Sequence, residues 1–333
     1  MKRIFPLVLL ALVCACQNKP NRPNQPDPLP KKSVTIPTFN ADSAFAFVKA
    51  QTDFGPRVPM TEAHELCAEW LVNKLSEYAD TVMVQEYRTR IYNNKVFDGK
   101  NIIASFNPKA TKRIILCAHW DSRPYADHDP DEANWNTPID GANDGASGVG
   151  VLIENARCFR IQPLNEKLGV DIILFDLEDY GPPATQREQY FDNRRNDWAL
   201  GSQYWAAHHH SLGYQANYGI LLDMVGGSNP CFMKEYYSQE YAGWLSNKVW
   251  HVAQDLGYGQ YFVNELGDLI SDDHLPLNEI AGIPTIDIVD LQPNSSNECF
   301  PETWHTLNDN IENIDKKTLG IVGNVLNCIV FQE

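Results

Sequence analysis

Two apolar runs decide how this chain is read: Ile114-Ile115-Leu116-Cys117-Ala118, which ends in His119-Trp120-Asp121, and residues 170–177, which end in Glu178-Asp179. Each has the length and composition of a buried strand. Between them, Gly141-Ala142-Asn143-Asp144-Gly145-Ala146-Ser147-Gly148 leads into a helix-like segment, residues 149–159. Imidazole and carboxylate groups therefore stand just past the C-terminal ends of two strands, where an open α/β sheet places its ligands. A His, an Asp and a Glu-Asp pair suit a zinc site better than a nucleophile triad.

Working outward, the same arrangement recurs. Residues 218–224 read as a strand that ends in Asp223-Met224, and residues 283–289 as another. Ile270-Ser271-Asp272-Asp273-His274 precedes Leu275-Pro276, and Thr303-Trp304-His305-Thr306 follows the last strand. Upstream, residues 42–51 and 61–78 have helical periodicity. Residues 82–91 alternate like a strand, with Asn93-Asn94 as a hairpin turn, and residues 101–106 and 113–118 add two more. Helices are expected over 198–208, 235–256 and 314–331, and a long polar loop over 181–197. Strands alternating with helices predict an α/β fold. It is a single domain with a mostly parallel central sheet flanked by helices on both faces.

The chain has 333 residues, 43% of them hydrophobic, enough to bury a large core. Its formal charge of −16 argues against a nucleic-acid partner. Lys2 and Arg3 followed by the short apolar run 4–13 have the build of a signal peptide, taken as residues 1–15. Val13-Cys14-Ala15-Cys16 resembles a bacterial lipobox, with Cys16 as the lipidated first residue. Residues 16–38, rich in Pro and Asn, then read as a tether, and residues 39–333 as the folded domain. The expectation is an exported, membrane-anchored lipoprotein, periplasmic or in the cell envelope. Of the remaining cysteines, Cys67, Cys117, Cys158 and Cys328 lie in apolar periodic runs and are expected as buried free thiols.

The order His-x-Asp, Gly-x-x-Asp, Glu-Asp, Asp, Asp-Asp-His and Trp-His-Thr resembles the zinc aminopeptidase clan, and within it the glutaminyl cyclases of animal type. The likeness runs from about Thr52 to Phe331. It implies one Zn2+ per chain, held by Asp144, Asp179 and His305, with Glu178 as the acid/base. Asp223 and Asp272 match two acids that share a hydrogen-bonded network with that glutamate, and Trp304 matches an aromatic wall of the substrate pocket. The implied substrates are peptides and proteins with an N-terminal glutamine, converted to pyroglutamate with release of ammonia.

The chain departs from the cyclase pattern twice. Asp179 stands where the family usually has a second Glu, so the backbone must come nearer the metal. Tyr180-Gly181-Pro182-Pro183 replaces the segment that carries a second tryptophan, leaving Trp198, Tyr190 and Phe191 as candidates for that wall. The alternative function is a secreted zinc aminopeptidase, in which His119 and Asp223 would hold a second metal. A third reading is a zinc-binding domain without activity, which the intact ligand set and Glu178 disfavour. His119 is expected as a hydrogen-bonded partner of the site, His274 as a structural hydrogen bond, and His208-His209-His210 as a solvated helix end. Trp120 and Trp135 are balanced between pocket rim and packing.

Overall fold

The computed structural model describes residues 35–190 and 196–333. The expected signal peptide, Cys16, almost all of the tether, and Phe191 lie outside the described residues. Helix α1 (Ala41–Thr52) is capped by Asn40, whose Oδ1 accepts from the amides of Asp42 and Ser43 at 3.0 and 3.2 Å. Helix α2 (Glu62–Ser76) is capped by Thr61. Strands β1 (Thr81–Arg90) and β2 (Val96–Phe106) form the hairpin. Strand β2 begins five residues earlier than expected, because the mixed stretch Val96-Phe97-Asp98-Gly99-Lys100 completes the register down to Arg90↔Val96.

The centre of the molecule follows: β3 (Lys112–His119), α3 (Ala146–Ile161) and β4 (Leu168–Phe175). A short helix α4 (Arg187–Tyr190), α5 (Leu200–Ala207) and β5 (Gly219–Asp223) come next. The remaining elements are β6 (Phe232–Lys234), α6 (Tyr236–Asp255), β7 (Phe262–Leu266), α7 (His274–Glu279), β8 (Thr285–Val289) and α8 (Lys316–Phe331). The six-stranded sheet runs β1-β2-β4-β3-β5-β8, with β4, β3, β5 and β8 mutually parallel and β1 and β2 antiparallel at one edge. Strands β6 and β7 pair separately; at three and five residues they leave too little periodicity to be read from sequence.

Both faces are covered. Alternate residues such as Leu116, Ile172, Leu222 and Ile288 join one large core with the side chains of α1, α3, α6 and α8. Their neighbours Cys117, Ile173 and Leu221 pack under Trp205 of α5 and Leu277 of α7, as the period-2 alternation of a strand requires. Helix α3 lies close on β5 because Gly148 has no side chain; a Cβ there would overlap the Leu222 carbonyl. Cys67, Cys117, Cys158 and Cys328 are buried and unpaired. The chain leaves β3 toward β4 on one side and later reaches β5 on the other, so the topological switch lies between β3 and β5, where ligands gather in such sheets.

Candidate functional site

Four strand-end segments bring the site together. His119 ends β3, Glu178 and Asp179 follow β4, Asp223 ends β5, and His305 comes from the long connection after β8. Leu177, Met224 and His305 all have positive φ, at 59°, 48° and 55°. Three non-glycine residues in the left-handed region at one site are held by their surroundings, since each such residue costs of order 1–3 kcal/mol. The surroundings are visible for the Glu178 turn. The Asp121 carboxylate accepts from the amides of Glu178 and Asp179, both at 3.2 Å. Asp176 accepts from the Leu177 amide at 2.8 Å and meets His64 Nε2 at 2.9 Å. On the facing loop, Asp309 accepts from the amides of Asn143 and Asp144 at 2.7 and 3.1 Å.

Asp144, Asp179 and His305 converge: one ligating atom from each lies within 4.8 Å of the others. His305 Nε2 is 3.2 Å from Asp179 Oδ1 and 3.5 Å from Asp144 Oδ2. A second group with the same spacing is His119, Asp144 and Asp223, in which His119 Nε2 stands 2.9 Å from Asp144 and 3.4 Å from Asp223. Asp179 Oδ2 and Asp223 Oδ1 are buried without a hydrogen-bond partner. Buried acceptors left open beside an imidazole are costly unless a cation completes them, so the donor set fits a metal, and one nitrogen with two carboxylates fits zinc.

Electrostatics sharpens the picture. Burial, and then the neighbouring Asp272 carboxylate, push the Glu178 carboxyl well above its ordinary value, against the pull of His119. Burial, followed by Asp144 and Asp272, raises Asp223 to about 7, and burial raises Asp272. Burial alone would raise Asp144 too, but His119 and His305 outweigh it and hold that carboxyl low. These directions belong to the metal-free cluster; a seated cation inverts the local logic by favouring every ionised carboxylate around it.

A cleft of about 320 Å³ opens onto this cluster, lined by Asp144, Glu178, Asp179, Asp223, Asp272 and His305 together with Trp198 and Trp304. Trp304 stacks on His305 at 3.8 Å between ring centroids, and Trp198 lies parallel to His305 at 6.5 Å. Gly181 makes room for Trp198, because a Cβ there would overlap the indole. Tyr190 instead packs on Tyr92. Trp120 is fully buried and stacked on His64, while Trp135 donates to the Asp129 carbonyl outside the cleft. His274 is buried beside Glu235 at 3.2 Å. Only His208 of the triple histidine is exposed; His209 and His210 rest on Trp205 and Tyr214.

Sequence reasoning missed Arg123 and Asp127 beneath the cluster and Arg187, Leu269 and Phe300 at the cleft mouth. The only available signal was the crowding of charge in Asp121-Ser122-Arg123 and Asp127-His128-Asp129, which has no periodicity and no motif.

Comparison with known proteins gives the same site a family. The protein is 48% identical to a solved glutaminyl cyclase of Bacteroides thetaiotaomicron bound to N-acetylhistamine, covering 90% of this chain and 100% of that one with a TM-score of 0.84. It is 45% identical to a solved Zn-dependent exopeptidase of Parabacteroides distasonis, covering 90% and 100%, with a TM-score of 0.86. The glutaminyl-peptide cyclotransferase of Bos taurus is 26% identical over 299 residues, 82% of this chain and 74% of that protein. A model of peptidase family M28 matches residues 101–329, and with the strand-end cluster in place over that span the chain belongs to this family.

Proposed function

We propose that the protein is a zinc-dependent glutaminyl-peptide cyclotransferase, closing N-terminal glutamine of peptides and proteins to pyroglutamate. The observation that carries this reading is Glu178. It is half-buried and lines the same cleft as Asp144, Asp179 and His305, and its carboxyl is pushed up by burial and Asp272. Its place in the cleft beside the metal cluster lets this carboxyl accept and return a proton at the substrate, with burial and Asp272 favouring the protonated form and a seated cation the ionised one.

Asp144, Asp179 and His305 would hold the zinc, which when bound supplies Lewis-acid polarisation of the substrate's γ-carbonyl. Trp304 and Trp198 would confine the glutamine side chain so that it folds back on its own α-amine, an entropic contribution. The amine nitrogen forms a bond to the side-chain carbonyl carbon, Cδ, and the bond from that carbon to the amide nitrogen breaks. Glu178 takes the proton from the attacking amine and delivers it to the departing ammonia. Burial and the neighbouring Asp272 favour the protonated form of Glu178 between these two transfers, and Asp223 lines the same cleft. Residues 1–15 as a signal peptide, and Cys16 as the acylated residue of an exported lipoprotein, complete the proposal. Among the described residues no helix is long and apolar enough to cross a membrane.

The aminopeptidase reading draws on one observation, the second cluster of His119, Asp144 and Asp223. Incubation with a Gln-initiated peptide separates the two. The cyclase reading expects loss of one ammonia with the chain length unchanged. Free glutamine with a shortened peptide, and no pyroglutamyl product above the uncatalysed rate, would establish the peptidase instead.

A further inference from the structure

Arg123 lies four residues past His119 and is fully buried. Its Nε and Nη2 donate to Asp127 at 2.8 and 2.6 Å. Nη1 donates to the Asp179 carbonyl at 3.0 Å and reaches Asp179 Oδ1 at 3.4 Å, while Nη2 also donates to the Pro182 carbonyl at 3.2 Å. Asp127 Oδ1 in turn stands 3.5 Å from His305 Nδ1. The guanidinium sits 4.7 Å from the centre of the Trp198 ring. One buried side chain thus touches, directly or through Asp127, both Asp179 and His305 and one wall of the cleft.

We infer that Arg123 is a positioning residue that sets two metal-binding side chains and the Trp198 wall at a common spacing. The inference rests on the proposed ligand roles of Asp179 and His305. Three physical points support it. An aspartate is one methylene shorter than a glutamate, so its main chain must be carried toward the metal; the bond from Nη1 to the Asp179 carbonyl pins that main chain. A ligating imidazole needs an acceptor on its other nitrogen to fix ring orientation, and Asp127, itself locked by the guanidinium fork, holds a carboxylate oxygen 3.5 Å from that nitrogen. An indole laid over a guanidinium gains cation–π attraction and shares the guanidinium's rigidity. Lysine has neither the planar fork nor the stacking face.

Charge and position make opposite forecasts here. As a bare charge, Arg123 would repel a bound dication, so weakening its contact would tighten metal binding. Its charge is already paired with Asp127 at hydrogen-bond distance, which leaves geometry as the dominant effect.

The test uses the full chain with Arg123→Lys and Asp127→Asn, measuring zinc retention against a graded chelator, far-UV circular dichroism, and KM and kcat separately. Both variants are expected to release zinc at chelator strengths roughly 10–100-fold lower, the usual cost of disturbing a ligand's supporting partner. Arg123→Lys is also expected to raise KM more than Asp127→Asn does, because it alone loses the face against Trp198. Folded variants that hold zinc as tightly as the parent, or more tightly, overturn the inference. If Arg123→Lys fails to fold, zinc retention by Asp127→Asn decides. A parent that makes no pyroglutamate, with variants that still shed zinc early, would sink the cyclase reading and leave this one standing.

Discussion

Glu178 and Asp179 are chain neighbours with separate environments: Asp179 is buried in the cluster with His305, and Glu178 lines the cleft. The turn that follows Leu177, at φ 59°, places Asp179 in the metal cluster and Glu178 on the cleft wall, so one can bind metal while the other faces substrate. Replacing Glu178 by Gln keeps the shape and removes the proton carrier. Turnover is expected to fall on the order of 10²–10⁴-fold, with zinc content and circular dichroism unchanged; a variant that keeps more than about a tenth of parental kcat refutes the acid/base role. Trp304 stands differently. It is half-exposed and stacked on His305, and its aromatic face is offered to ground state and transition state alike. Trp304→Ala should therefore act mainly by raising KM, with a smaller fall in kcat from the lost confinement, which steady-state kinetics on a Gln-initiated peptide will read.

At the scale of elements, the end of α8 is fastened to three others. Glu333 accepts from Tyr218 Oη at 2.6 Å, just before β5, and pairs with Lys112 of β3 and Lys248 of α6. Burial alone would raise this carboxyl, but the hydrogen bonds from Lys112, Lys248 and Tyr218 hold it down at about 2. A folded value below the unfolded one means the ionised form is favoured by folding. The staple then stabilises fully above the unfolded value of about 4.5, and its contribution fades as pH falls toward about 2. Lys112 and Lys248 face solvent, so screening reduces the effect to on the order of 1 kcal/mol. Glu333→Gln should lower the melting temperature near neutral pH. The gap from the parent should shrink as pH falls through that window, and a gap that widens on acidification would contradict the assignment.

For the whole molecule, the arrangement around His119 bears on metal stoichiometry. Its Nε2 stands 2.9 Å from Asp144 and 3.4 Å from Asp223, and Asp144 belongs to both candidate metal groups, so the number of bound ions separates the two readings. One tightly held zinc per chain is the expected result of metal analysis on protein purified without chelator. Two equivalents, both required for activity, would favour the peptidase. The N-terminal segment carries a prediction of its own. If Cys16 is only an anchor, Cys16→Ser should release active enzyme from the membrane fraction, whereas unchanged fractionation refutes the lipobox reading.

The sequence by itself determined the strand-end motifs and the α/β order. A strand buried on both faces is a continuous apolar run, and a polar residue just past it stands out. Asp179 and Asp223 stood out for that reason, whereas Asp144 and His305 were singled out through the resemblance to the glutaminyl cyclases; the helices were legible from caps such as Thr61. What followed no local period was not legible. Strand β2 extends through polar residues because its partner supplies the register, and Tyr190 turns away from the cleft because Tyr92 offers it an aromatic contact. Trp198 reaches the cleft from the far end of the 181–197 stretch, with Gly181 on one side and Arg123 on the other. Only the tertiary structure decided the role of Arg123 and Asp127: the two pair with each other locally, but Asp179 and His305, which they hold, are far along the chain. Asp179 is 56 residues from Arg123, and no pattern along the chain records a contact made across that distance.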